Sequence, residues 1–363
     1  MNICFVLPGF SRHPSGGYKM VFEYANRLVN ENCNVTILFL NDESFSRYHI
    51  PRIAKRALSN LFTQLEPRWF HLDARIKKVS NLEKNYKDKI GRDLDAVFAT
   101  SAEKTVKEVN ENLLAKKKFY FIQDYENWHV SNDFVDKTFK LGFNNIVISK
   151  WLKDKVDKIS CKESTLIPNA IDTDIYKEYK KITDRRQHTI ALLYNEEKHK
   201  GLANAFKVLK IVKEKYPDLK VEMFGQFNRP NVPDWIEYYK NANTKQTVKI
   251  YNNCQVFLCS TIEEGFGLTG LEAMSCGACL VSTDYKGVHE YGIDDFNSLL
   301  SPVGDIQKQV NNVIRVFEDV KLQKYISNNG KKTAQNYSWD NAMDKFNKEL
   351  NLNFKNKLAT KLK

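Results

Sequence analysis

Apolar runs of strand length alternate with stretches of helical periodicity along nearly the whole chain. Parallel sheets covered by helices leave that alternation in a sequence. In the first half, strands are expected at residues 2–7, 35–40, 96–101, 118–123, 145–149 and 165–168, with the clearest helices at 17–30, 51–65 and 151–159. In the second half they are expected at 189–194, 220–225, 256–260, 279–283 and 298–301, with helices at 202–216, 244–253 and 267–276. Beyond Pro302 the pattern is helical throughout, over 306–319, 322–336 and 339–350. Residues 172–188 are charged and weakly periodic, as a connection between domains would be. The chain therefore divides into an α/β domain at 1–170, a linker at 171–188, a second α/β domain at 189–336, and a terminal helix with a basic tail at 337–363.

Composition narrows the class. A length of 363 residues suits two domains, and 42% apolar residues supply their cores, which excludes disorder. Seven scattered cysteines make a poor disulfide framework. Cys276 and Cys279 form a C-x-x-C, but without a second pair or a nearby histidine they read as buried small residues. No apolar stretch reaches the ~20 residues that span a bilayer. The opening apolar run stops at Pro8-Gly9, too short for an export signal. A cytosolic protein, or one held at a membrane surface, is expected.

The formal charge of +12 calls for an anionic partner. Nucleic acid, an anionic membrane and a diphosphate substrate all carry that chemistry. No stacking-aromatic module accompanies the charge, so nucleic acid is not expected. Much of the excess lies in one segment, where Arg47, Arg52, Lys55, Arg56, Arg68, Arg75, Lys77 and Lys78 face only Glu66 and Asp73. Within it Ile50, Ile53, Ala54, Ala57, Leu58, Leu61, Phe62 and Leu65 repeat at helical spacing, and Arg52, Lys55 and Arg56 fall off that stripe. The ordinary expectation is that the stripe packs on the first sheet. The alternative is a basic amphipathic helix lying on anionic lipid.

The densest chemical signal is residues 260–277, which follow an apolar strand and turn through glycines into a short helix. The helix-start amides around Gly267, Leu268 and Thr269 then lie at the sheet's carboxyl edge, where they suit a diphosphate. Glu264 on the loop and Glu272 in the helix suit hydroxyls better than phosphates. For a lone E-G-x-G, an ordinary β–loop–α turn with glutamates near the helix start accounts for the pattern. The whole stretch resembles the signature of the family-4 retaining glycosyltransferases, in which two glutamates are separated by seven residues. Here Gly265, Phe266, Gly267 and Leu268, then Glu272-Ala273-Met274, match its interior. The resemblance implies that Glu264 holds donor-sugar hydroxyls and Glu272 the ribose. Glu263 is one residue out of register.

Other segments extend the resemblance over most of the chain. Gly16-Gly17 follows the first strand and opens a helix, and glycines there let backbone approach a phosphate. In the family this loop faces the donor diphosphate across the cleft. Pro168-Asn169-Ala170-Ile171-Asp172 resembles the end of the family's first domain, with Ala170 in place of glycine. Tyr337-Ser338-Trp339 matches the entry to a last helix that packs back on the first domain. Lys200-Gly201 matches a phosphate-clamping pair, but Asn195 stands where relatives carry an arginine. Gln123 replaces a histidine beside Asp124, and the run Gln123-Asp124-Tyr125-Glu126 is similar to a subset that builds bacterial surface polysaccharides. Asp124 either caps its strand or meets donor or acceptor.

The resemblance implies a GT-B fold, with two Rossmann-like domains facing each other across a cleft. It implies retaining transfer from a nucleoside-diphosphate sugar to a glycan or lipid-linked glycan in bacterial surface polysaccharide synthesis; the expected location is the cytoplasm, with peripheral attachment at the inner face of the plasma membrane as the alternative. Glu264, Lys200 and Asp124 are the catalytic candidates. Gly16, Gly17, Asn195, Lys200, Glu264–Thr269 and Glu272 are the donor-binding ones. No metal or other cofactor is expected, because protein cations and amides would carry the phosphate charge. A phosphorylase or epimerase on the same fold, and a non-catalytic nucleotide-sugar-binding subunit, are the alternatives.

Overall fold

The computed structural model describes residues 1–46, 49–228 and 232–352. Arg47 of the basic segment and the tail at 353–363 lie outside them.

Two parallel sheets form the frame. The first holds β1 (Asn2–Leu7), β2 (Asn34–Phe39), β3 (Lys77–Ser80), β4 (Leu94–Ala99), β5 (Ala115–Ile122), β6 (Asn144–Val147) and β7 (Thr165–Leu166), in the order β3-β2-β1-β4-β5-β6-β7. The second holds β8 (Thr189–Leu193), β9 (Lys220–Gly225), β10 (Ile236–Lys240), β11 (Val256–Cys259), β12 (Cys279–Thr283) and β13 (Ser298–Ser301), in the order β10-β9-β8-β11-β12-β13. Both orders reverse direction once, between β1 and β4 and between β8 and β11. The crevice outside the carboxyl ends at such a switch point is where open α/β sheets bind ligands.

Central strands are apolar on both faces because helices cover both, as in β1, where five of six residues are buried. Phe5, Phe98 and Phe119 stack across β1, β4 and β5 with ring centroids 4.7 and 4.6 Å apart. The helix Trp339–Leu350 returns to this core. Phe346 stacks on Tyr24 at 4.3 Å and on Phe98 at 5.2 Å, and Trp339 meets Tyr24 edge-on. A single apolar face thus ties the end of the chain to its beginning.

The connection ahead of β8 is firmly anchored. The Arg185 side chain is fully buried and donates to the carbonyls of Lys180, Tyr251, Cys254 and Cys276. Such a charge is tolerated because its N–H groups find acceptors in a dry site.

The helix Arg52–Leu65 departs from expectation. Its buried residues are Ser59 and Thr63, whose hydroxyls with that of Ser80 surround the Asn41 amide at 3.0, 2.9 and 3.2 Å. Only part of the apolar stripe is covered, chiefly Phe62, which stacks on Phe10 at 5.6 Å. Ile53, Leu58, Leu61 and Leu65 are exposed. The polar cluster at Asn41, which needs buried partners, turns the other face outward. Among the described residues no helix is long and apolar enough to cross a membrane.

Candidate active site

The second-half wall begins at the carboxyl end of β11, where residues 260–267 turn into the helix Leu268–Ser275. Gly267 is left-handed, with φ +94°, and no side chain caps the helix start. A Cβ on Gly267 would strike the Tyr285 hydroxyl, so glycine is required there on two grounds. The Tyr291 hydroxyl donates to the Gly267 carbonyl at 2.6 Å and fixes the loop from behind.

The loop after β8 locks against this segment. Gly201 has φ +66°, and its Cα packs so closely on the Ser260 carbonyl that no side chain fits. The Ile262 N–H donates to the His199 carbonyl at 2.8 Å. Together these contacts bring Lys200 Nζ to 3.0 Å from Glu264 Oε1, with both side chains largely buried. Two residues sixty-four positions apart in sequence become one charged pair because adjacent strands at the switch point present them.

The first-half wall is assembled from three loops. A Cβ on Gly16 would lie 3.6 Å from Leu268 Cδ1, so the Gly16-Gly17 loop faces the helix start across the cleft. Gln123 Nε2 donates to the Gly17 carbonyl at 3.2 Å and thereby ties two of the loops together. Asp124 Oδ2 accepts the Gly265 N–H at 3.1 Å, and Trp151 Nε1 donates to the Gly265 carbonyl at 3.0 Å. One residue of the second half is therefore held through both its N–H and its carbonyl by the first. A Cβ on Gly265 would run into the Gln123 carbonyl.

Electrostatics in the cleft are unusual. Burial raises the Asp124 carboxyl to about 6, with Glu264 adding to the rise and Lys200 and two backbone N–H groups opposing it. Burial likewise raises Glu126 to about 7, against the Ala102 N–H that it accepts at 2.6 Å. Glu272 is buried, and both its oxygens are occupied. Oε1 takes Lys19 Nζ at 2.7 Å and Oε2 takes the Tyr251 hydroxyl at 3.1 Å. Burial alone would lower the Lys19 ammonium, but Glu272 and Tyr176 beside it raise it instead.

Of the residues singled out from sequence, Gly16, Gly17, Asp124, Lys200, the loop Glu264–Thr269 and Glu272 converge on this cleft. Asn195 stands at the end of β8, but its Oδ1 accepts the Glu197 N–H at 2.9 Å within its own loop. Glu263 is exposed. Cys276 and Cys279 are both buried, and burial pushes the Cys279 thiol up to about 12, so these cysteines are chemically quiet. Sequence reasoning missed Lys19, Trp151 and the tyrosine pair Tyr285 and Tyr291. Lys19 lies two residues past Gly17, yet its partner is 253 positions away, and nothing local announces it.

Two facing parallel-sheet domains with a returning terminal helix define the GT-B fold of glycosyltransferases. Sucrose-phosphate synthase from Thermosynechococcus elongatus superposes with a TM-score of 0.75 at 14% identity, covering 96% of this chain and 98% of that one, a likeness of fold. Residues 176–333 match the model of the family glycosyl transferases group 1. An uncharacterized glycosyltransferase of Methanocaldococcus jannaschii is 22% identical over 203 residues, 54% of this chain and 55% of its own length. The capsular polysaccharide biosynthesis glycosyltransferase CapM of Staphylococcus aureus is 24% identical over 148 residues, 38% of this chain and 39% of its own. The chain thus spans about half or less of the length of these curated relatives.

Proposed function

We propose that the protein transfers a sugar from a nucleoside-diphosphate sugar to an acceptor hydroxyl, with retention of configuration and without a metal ion. The observation that carries this reading is the convergence of the Lys200–Glu264 pair, the Gly16-Gly17 loop and the uncapped helix start at Leu268 on one cleft. In this reading Lys200, the amides of Leu268 and Thr269, and the Gly16-Gly17 backbone take the diphosphate. They stabilise the charge that grows as the anomeric C–O bond breaks. These groups supply the positive charge that a metal ion would otherwise bring. Glu264 holds the sugar hydroxyls. Glu272 holds the ribose, whose hydroxyls displace Lys19, and the freed ammonium turns to the phosphates in place of the cation missing at Asn195. The acceptor oxygen attacks from the leaving-group side, and its proton passes to the departing phosphate. Asp124, ionised above about pH 6, orients a hydroxyl beside Glu264. Closure of the two walls keeps water from the donor.

The acceptor in this proposal is a glycan or lipid-linked glycan of bacterial surface polysaccharide, supported by the name of the Staphylococcus aureus relative. The enzyme would work on the cytoplasmic side of the plasma membrane. The test is nucleotide release from a panel of UDP-, dTDP- and GDP-sugars, with and without EDTA. Slow release from one donor, indifferent to EDTA, supports the proposal. Loss of release in EDTA overturns its metal-free part, and absence of both release and calorimetric binding overturns it entirely. The turn of Asn195 into its own loop favours a second reading, a donor-binding subunit without turnover, which binding without release would support.

A further inference from the structure

The helix Arg52–Leu65 presents to solvent what a helix on a sheet ordinarily hides. Ile53, Ala57, Leu61 and Leu65 stand four residues apart on one row, with Leu58 beside them. Ile53 is 79% exposed, Leu61 52%, Leu65 43% and Leu58 38%. The opposite face carries Ser59 and Thr63 and is fixed by the polar cluster at Asn41, so the outward face is not free to turn inward. Contiguous exposed apolar surface of this kind marks an interaction site.

Cations border the patch. Arg52 is exposed at its start, and Lys55 and Arg56 are partly exposed along its edges. Arg12 lies over the Phe62 ring at 4.6 Å, and the Arg68 side chain is 70% exposed just past the helix. Glu66 is the one acidic residue between 49 and 72, and it is buried. A hollow of about 350 Å³ with Arg68, His71 and Lys78 in its lining opens at the helix's far end. A second copy of the chain, related by a two-fold axis, would bring these same cations face to face. An anionic bilayer meets both demands, with acyl chains for the leucine row and headgroups for its cationic border.

We propose that this face seats the protein on an anionic lipid bilayer. The patch is joined to the cleft by short links. Trp69 Nε1 donates to the Ser11 carbonyl at 3.1 Å, and Arg12 follows directly on the loop that leads to Gly16-Gly17. Seating the helix therefore brings the cleft beside the membrane. The inference rests on the helix and its cationic border and stands apart from the donor chemistry.

The test is co-sedimentation of the full chain with phosphatidylglycerol-containing vesicles and with pure phosphatidylcholine vesicles. Binding to the anionic vesicles should be at least ~tenfold tighter, given the cations at the surface. The double variant Leu58→Ser, Leu61→Ser should lose at least ~tenfold in vesicle affinity. Because both side chains are already exposed, its thermal melt and its lipid-free donor chemistry should match the wild type. The variant Arg52→Ser, Arg56→Ser should lose the preference for anionic lipid. Absence of wild-type binding, or unchanged binding by the leucine variant, overturns the proposal. A concentration-dependent dimer that the leucine variant dissociates also overturns it and assigns the patch to a second copy.

Discussion

The two walls of the cleft reach the same place by different routes. On the second-half wall, residues 260–275 deliver loop, helix start and both glutamates in one strand–loop–helix unit. On the first-half wall, Gly16–Lys19, Gln123–Glu126 and Lys150–Trp151 come from three separate crossovers and meet only because β1, β5 and β6 share a sheet. The second-half unit is held by groups of its own domain, such as Tyr285, Tyr291 and the Lys200 turn. The first-half groups reach outward, with Asp124 and Trp151 on the backbone of Gly265 and Lys19 on Glu272. One wall is a preformed site, and the other completes it by touching it. Chemistry should therefore fail on changes to the first kind of residue, and closure and donor affinity on changes to the second.

The largest effect is expected on the preformed wall. Glu264→Gln keeps the side chain's shape but removes the charge paired with Lys200. Turnover should fall by ~10²–10³-fold with the melting temperature little changed, since charge placed for a transition state carries effects of that order. Steady-state kinetics beside a thermal melt check this. A fall of less than threefold would move the chemistry away from Glu264 and leave the wall comparison without its first half.

The same contrast decides what was legible in the sequence. The stretch 260–277 could be read because its spacing, glycines and helix start are local, and local geometry is what spacing encodes. The central strands were equally plain, being apolar on both faces. The edge strands β3 and β10 went unread because Lys77-Lys78 at one and Glu237 and Lys240 at the other are polar where only one flank pairs. Short helices such as Thr105–Asn112 and Asn132–Thr138 bury two or three residues each and so leave little stripe. The helix Arg52–Leu65 teaches a different point. Its period correctly implied two unlike faces, but period does not say which face is the inside. Asn41, Ser59, Thr63 and Ser80, contributed by three segments of chain, decided that. Lys19 was hidden for the same reason, since its meaning lies in Glu272 across the cleft.

An intermediate effect is expected at that cross-cleft contact. Lys19→Met removes the cation while keeping most of the side chain's bulk. If Lys19 passes from Glu272 to the donor phosphates, the donor KM should rise ~tenfold with a smaller fall in kcat, the size of one charge-assisted contact. Lys19→Arg should restore most of the affinity. A variant that merely lowers stability, because Glu272 is left buried without its partner, would show a lower melt and no change in KM. That outcome would make Lys19 a strut between the walls and nothing more.

The smallest effect should appear at Glu126, behind Asp124 on the first-half wall, and it runs opposite in sign. Burial raises the Glu126 carboxyl from its ordinary 4.5 to about 7, so its charged form is the one the fold disfavours. Between those two values the folded chain holds a proton that the unfolded chain releases. The contribution of Glu126 to wild-type stability should therefore decline as pH climbs from about 4.5 to about 7, then level off. Glu126→Gln removes that decline and keeps a carbonyl oxygen to accept the Ala102 N–H. The variant should match the wild type near pH 4.5 and exceed it at pH 8. The full shift corresponds to ~3 kcal/mol, and solvent reaching a partly exposed side chain reduces the gain to about 1 kcal/mol, or roughly 2 °C in the melt. Thermal melts of both proteins across that pH range measure it directly. A gain already present at pH 4.5 would mean that packing is responsible, and a loss at pH 8 would mean that the carboxylate is held by a stronger partner than Ala102. If the gain follows the expected window, the first-half wall keeps a partly buried carboxyl at a cost in stability. The pair Asp124 and Glu126 then becomes a place where this wall has been shaped for contact with the other and not for its own stability.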